Sequence, residues 1–150
     1  MALLDKLREF IFIHCIKTGG TWLTYSLGGS IYHSQHSPAS IVKALMIETN
    51  KEAYWNKYYK FSIVRDPYQV MISLYYYLKS HPNHSSYYLV KDEVDFSAFI
   101  ERYQTQAHRI VEATGYYFYD TQWSKLSENN QLLVNQVFHF EKMGEVKQML

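Results

Sequence analysis

The sequence predicts an α/β fold: a three-layer sandwich with a mostly parallel central sheet, built as a single domain over residues 1–150. Three observations predict it. Short apolar runs alternate with longer amphipathic stretches along the chain, the pattern of strands and crossover helices. The run Phe10-Ile-Phe-Ile-His14 is apolar without alternation, as a strand covered on both faces should be. With 47% hydrophobic and 19% charged residues in 150, the chain can build one real core and does not have a disordered composition.

The elements follow in order. After the Phe10–His14 strand comes a turn at Thr18-Gly19-Gly20, then a short helix from Thr21 to Leu27 that Gly28-Gly29 ends. Ser30 to Gln35 alternates as a second strand. Ser37 is placed as an N-cap and Pro38 as the first helical residue of a helix to Thr49. Lys60 to Val64 is the third strand. Pro67 opens a helix with Val70, Met71, Leu74, Tyr75 and Leu78 along one side, and His81 to Ser86 is a loop. Asp95 caps a helix through Phe96, Phe99, Ile100 and Tyr103, and a second helical stretch runs from Gln106 to just before Gly115. Gln131 to Phe140 is the last strand, and Gly144 to Leu150 begins a helix.

Composition removes several function classes. A net charge of +1 argues against nucleic-acid partners, which call for a clear basic excess. Cys15 is the only cysteine, so no internal disulfide can form and a cysteine-held zinc is not expected. The opening Met1 to Phe10 carries charges where a signal peptide is apolar, and no run approaches the ~20 apolar residues of a membrane span. A cytoplasmic protein without a membrane partner is expected. The 15 tyrosines cluster at Tyr58-Tyr59, Tyr75-Tyr76-Tyr77, Tyr87-Tyr88 and Tyr116-Tyr117. They suit amphipathic packing, or a platform for a sugar or other flat acceptor.

Two segments carry chemistry, and both fall where a parallel sheet binds ligands, after the carboxyl ends of strands. The first is His14-Cys-Ile-Lys-Thr-Gly-Gly-Thr-Trp22. Two glycines let successive N–H groups converge on one anion, the following helix adds its positive end, Lys17 a full charge, and Thr18 and Thr21 hydroxyl donors. This is a P-loop-like phosphate cradle but not a Walker A loop, whose early glycine is missing. The second is Val64-Arg65-Asp66-Pro67-Tyr68 with Ser73 on the helix that Pro67 opens. Arg65 leaves the third strand with a planar fork suited to phosphate, and Ser73 lies about two turns along the helix.

Together these residues resemble the sulfotransferases that use 3′-phosphoadenosine 5′-phosphosulfate (PAPS), in particular the carbohydrate-type branch. Their first segment typically reads Pro-Lys-Thr-Gly-Gly-Thr; in this chain it is Ile16-Lys-Thr-Gly-Gly-Thr21. Their second reads Val-Arg-Asn-Pro-Tyr with a serine eight residues after the arginine; in this chain it is Val64-Arg-Asp-Pro-Tyr68 with Ser73. His36-Ser-Pro-Ala-Ser40, Gln122-Trp123 and Val134 to Glu141 resemble further stretches of the family, so the likeness runs from about Phe10 to Met143.

The resemblance implies that Lys17, Thr18, Gly19, Gly20, Thr21 and Trp22 hold the 5′-phosphosulfate, and that Arg65 and Ser73 hold the 3′-phosphate. It implies no metal, a small-molecule or glycan acceptor, and the product adenosine 3′,5′-bisphosphate (PAP). It also implies a chain short at its C-terminus relative to the family. Ile16, Gln69, Val70 and His139 depart from the family's usual residues, and with the short C-terminus they motivate an alternative: a catalytically inactive PAPS- or PAP-binding protein.

Sulfuryl transfer needs a cation to stabilise charge, for which Lys17 is the candidate, and a base for the acceptor proton. His36, after the second strand, is the first candidate for that base, His33 the second, and Asp66 and Glu48 weaker ones. His14 is expected to pack within the loop. A zinc site on His33 and His36 is disfavoured, because three residues apart on a strand they would face opposite ways.

Overall fold

Alternating apolar strands and amphipathic helices assemble, in a computed structural model, into an α/β structure described at residues 2–28, 30–33, 36–92, 95–114 and 121–149. In chain order the elements are β1 (Ala2–Asp5), β2 (Phe10–His14), α1 (Gly20–Leu27), β3 (Ser30–His33), α2 (Ala39–Glu48), α3 (Glu52–Lys57) and β4 (Tyr59–Val64). Then come α4 (Pro67–Lys79), a 3-10 turn (Tyr87–Leu89), α5 (Phe96–Thr114), α6 (Gln122–Leu126), β5 (Ser127–Glu128), β6 (Gln131–Leu132), β7 (Gln136–His139) and α7 (Met143–Met149). Among the described residues no helix is long and apolar enough to cross a membrane.

The chain divides into two compact units, Met1–Arg65 with Asp120–Leu150, and Asp66–Tyr119. The first holds a five-stranded sheet in the order β3-β1-β2-β4-β7. β2 pairs with β4, and β4 with β7, in parallel; β1 is antiparallel to both its neighbours. Four strands therefore run one way, and the sheet is mostly parallel. Residues alternate between its two faces. Ala2, Leu4, Ile11 and Ile13 pack with Val42 and Met46 of α2, Trp55 of α3 and Leu126 of α6. Leu3, Phe10, Phe12, Phe61 and Ile63 pack with Leu23 and Leu27 of α1 and Val146 of α7. Helices thus cover both faces, which is why β2 is apolar from Phe10 to Ile13.

The second unit comprises α4, the 3-10 turn and α5. Its aromatic core centres on buried Tyr75, whose ring lies 5.6 Å from Phe96 and 5.5 Å from Phe99. Tyrosines serve both roles their amphipathic rings allow: Tyr58 and Tyr75 are buried, while Tyr25, Tyr68 and Tyr76 are exposed.

The structure corrects several sequence expectations. β1 and α3 were not foreseen. The charges read against a signal peptide include those of the β1–β2 turn, where Asp5 accepts from the N–H groups of Leu7 and Arg8 and pairs with the Arg8 side chain. Pro38, not Ser37, is the N-cap of α2, and α5 is one helix rather than two. The expected last strand is split. Asn129 and Asn130 both take left-handed backbone angles, closing the β5–β6 hairpin as tight turns require. β7 starts only after Asn135 has bonded both backbone groups of Lys60.

Candidate functional site

The register of the parallel strands creates the site. His14 stands beside Ile63 and Val64 beside His139, so Cys15, Arg65 and Phe140 leave the same sheet edge. β3 reaches that edge too, with His33 paired to Ala2, itself opposite Ile13.

The loop from Cys15 to Gly20 is anchored from below. Cys15 and Ile16 are buried, and the Thr18 hydroxyl donates to the Cys15 carbonyl at 2.8 Å. Thr18 was expected to offer that hydroxyl to an anion; the loop uses its proton internally. Lys17 and Gly19 adopt φ of 55° and 73°, a conformation that is unusual for a lysine and clusters at functional sites. Gly20 is held even more tightly: a Cβ there would clash with the His14 ring at Cδ2. At Gly19 it would lie 2.9 Å from Cε2 of Phe140. Helix α1 starts at Gly20, one residue earlier than expected, with no side-chain cap from Gly19 and no acidic residue in its first turn. Its positive end therefore suits an anion. Thr21 and Trp22 are exposed on that first turn.

Arg65 joins the loop. The Gln122 side chain holds its backbone on both sides, accepting from the Arg65 N–H and donating to its carbonyl, each at 2.8 Å. The guanidinium lies over the Phe140 ring, 4.6 Å from its centroid, and Nη1 donates to the Lys17 carbonyl at 3.2 Å. Partial burial pushes the Lys17 ammonium below its ordinary pKa, and the nearby Arg65 charge pushes it further. Two cations held against their mutual repulsion favour an anion that relieves it. Ser73 lies half-buried on α4, in the second unit.

The candidate bases differ in setting. β3 ends at His33, and residues 34 and 35 lie outside the described part. His36 therefore belongs to the lead into α2, and strand alternation does not decide its direction as the sequence suggested. The His33 side chain also lies outside the described part. The half-buried His36 ring stands 4.7 Å from that of His14, and its carbonyl accepts from Lys125 Nζ at 2.7 Å. Burial, reinforced by the Lys125 and Lys17 charges, holds the His36 pKa down at about 3. His14 is buried, and its Nδ1 has no hydrogen-bond partner among the described residues. Burial and then the His36 ring keep its pKa well below the usual value.

Asp66 caps α4 by accepting from the Gln69 N–H, and Glu48 is exposed at the end of α2. Burial raises the Cys15 thiol pKa, so it is not poised as a nucleophile. Among the described residues no group of three or more His, Cys, Asp or Glu assembles.

Sequence reasoning missed Lys125, the Gln122 clamp, Phe140 and the contact of His14 with Gly20. Gln122 and Phe140 lay within the family-like stretches, which was their available signal. Lys125 carried none.

The sulfotransferase family matches the chain over residues 1–150. No curated protein and no solved structure matches it.

Proposed function

The chain belongs to the sulfotransferase family, and on that premise we propose that it binds PAPS in a P-loop-like cradle and transfers the sulfuryl group to an acceptor hydroxyl. The acceptor class we favour is a small molecule or glycan, in keeping with the carbohydrate-type likeness. The observation that carries the proposal is the convergence of Lys17 and Arg65 on one left-handed glycine loop. PAPS supplies the sulfuryl group, and PAP is the product.

The chain's residues divide the work. Backbone N–H groups from Lys17 to Trp22 and the positive end of α1 bind the phosphosulfate, with the Thr21 hydroxyl beside them. Lys17 stabilises charge on the departing group, the position where such a donor acts most strongly. Arg65 recognises the 3′-phosphate, the group that the family resemblance also assigns to Ser73. His36 accepts the acceptor's proton, with His33 as second choice. Neutral at pH 7, His36 is already in the accepting form. A bound anion offsets the Lys17 and Lys125 charges and raises its pKa toward the value a base needs.

Calorimetric titration with PAP and with AMP tests the binding half. PAP should bind about tenfold or more tightly, because a charge-assisted hydrogen bond is worth roughly 1.5–3 kcal/mol. Equal affinities would remove the basis for PAPS recognition. Single-turnover transfer from labelled PAPS to sugars, phenols and peptides tests the chemistry. His36→Ala should abolish transfer and leave PAP affinity within about twofold, with His33→Ala much milder. Tight PAP binding with no transfer to any acceptor would instead identify a non-catalytic binder.

A further inference from the structure

Lys125 stands on α6 with 1% of its surface exposed. No other lysine or arginine among the described residues is buried so deeply. Its neighbour Leu126 packs into the core beside Ile13 and Cys15, where an apolar side chain of similar length would avoid the desolvation of an ammonium. A charge retained there needs a polar task. The structure shows one: Nζ donates to the His36 carbonyl at 2.7 Å, joining residues 89 apart in sequence.

The contact continues beyond His36. Its ring rests 4.7 Å from the His14 ring. His14 in turn fills the space where a Cβ on Gly20 would stand. Lys125, His36, His14 and Gly20 thus form one packed series from α6 to the cradle. The charge of Lys125 also reaches both imidazoles, favouring the neutral, proton-accepting form of each.

Building on the reading of His36 as the base, we propose that Lys125 is a positioning residue. It holds the His36 backbone so that the imidazole stays at a set distance from the cradle. An uncharged donor can keep part of that anchorage, and an apolar side chain keeps none.

Lys125→Gln keeps a donor without charge, and Lys125→Met keeps only length. In both, the His36 titration midpoint, followed by imidazole ¹³C NMR, should rise toward the ordinary value. Calorimetric affinity for PAP should stay within about threefold. Single-turnover transfer should fall about tenfold or more in Lys125→Met and less in Lys125→Gln, with the pH profile following the His36 midpoint. A lower melting temperature with an unmoved midpoint and pH profile would mean that Lys125 only packs, and would overturn the assignment. If neither variant folds, the parent decides by NMR: a scalar coupling across the hydrogen bond from Lys125 Nζ to the His36 carbonyl carbon supports the anchorage, and its absence refutes it. Failure of the base reading is separate, and shows as full transfer by His36→Ala whatever the Lys125 variants do.

Discussion

At the scale of residues, function and backbone geometry meet in the cradle. Lys17 is a lysine held at positive φ, and its carbonyl accepts from Arg65. Lys17→Ala should weaken PAP binding modestly and slow transfer by about 10²–10³, because the charge acts mainly on the departing group. A variant retaining full turnover would disprove that role. Gly20 is constrained by a side chain rather than by φ. Gly20→Ala should disrupt the loop, since its new methyl meets the His14 ring. The double variant Gly20→Ala/His14→Ala should recover PAP binding in part, a coupling that a double-mutant cycle measures. Purely additive losses would show that His14 and Gly20 act independently.

At the scale of elements, the site depends on how separate segments hold one another. α6 follows β4 by nearly sixty residues, yet its Gln122 clamps both backbone groups of Arg65. Gln122→Ala should loosen Arg65 without removing any ligand-binding side chain. A loss of about 1 kcal/mol predicts roughly fivefold weaker PAP binding, with AMP affinity nearly unchanged. An equal loss for both nucleotides would mean that the clamp supports the fold rather than the 3′-phosphate site. Arg65→Ala should lower PAP affinity further and erase most of the preference over AMP.

At the scale of the whole molecule, the buried histidines make folding sensitive to acid. His36 has a folded pKa of about 3, and that of His14 is also depressed, against about 6.5 when unfolded. The unfolded chain therefore binds more protons between these values. The contribution of neutral His36 to stability is whole above about pH 6.5, shrinks as pH falls, and is gone below about pH 3. His36 gives a slope of about 1.4 kcal/mol per pH unit inside that window, and the depressed pKa of His14 acts in the same direction. Urea midpoints should fall between pH 6.5 and 5 in the parent and fall less steeply in His36→Gln. A flat parent profile would contradict the burial of both rings. Saturating PAP should raise the midpoint at every pH, as any ligand of the native state does.

The sequence by itself determined the α/β class, because the unbroken apolarity of Phe10–Ile13 and the spacing of the helices are local patterns. It also determined the Lys17–Trp22 and Arg65 motifs, whose glycines, cations and strand exits are contiguous in the chain. Some elements were locally ambiguous. β1 is only four residues long beside a charged turn, and the Asn129-Asn130 hairpin broke an apolar run that read as one strand. The tertiary structure alone decided what lies around those motifs. Parallel register brought Phe140 to Gly19 and Arg65, and α6 delivered Gln122 to Arg65 and Lys125 to His36. Such contacts join residues many tens of positions apart, and no local periodicity records them. The neutral state of His36 was equally invisible, since it arises from burial and neighbouring charge, which exist only once the chain is packed.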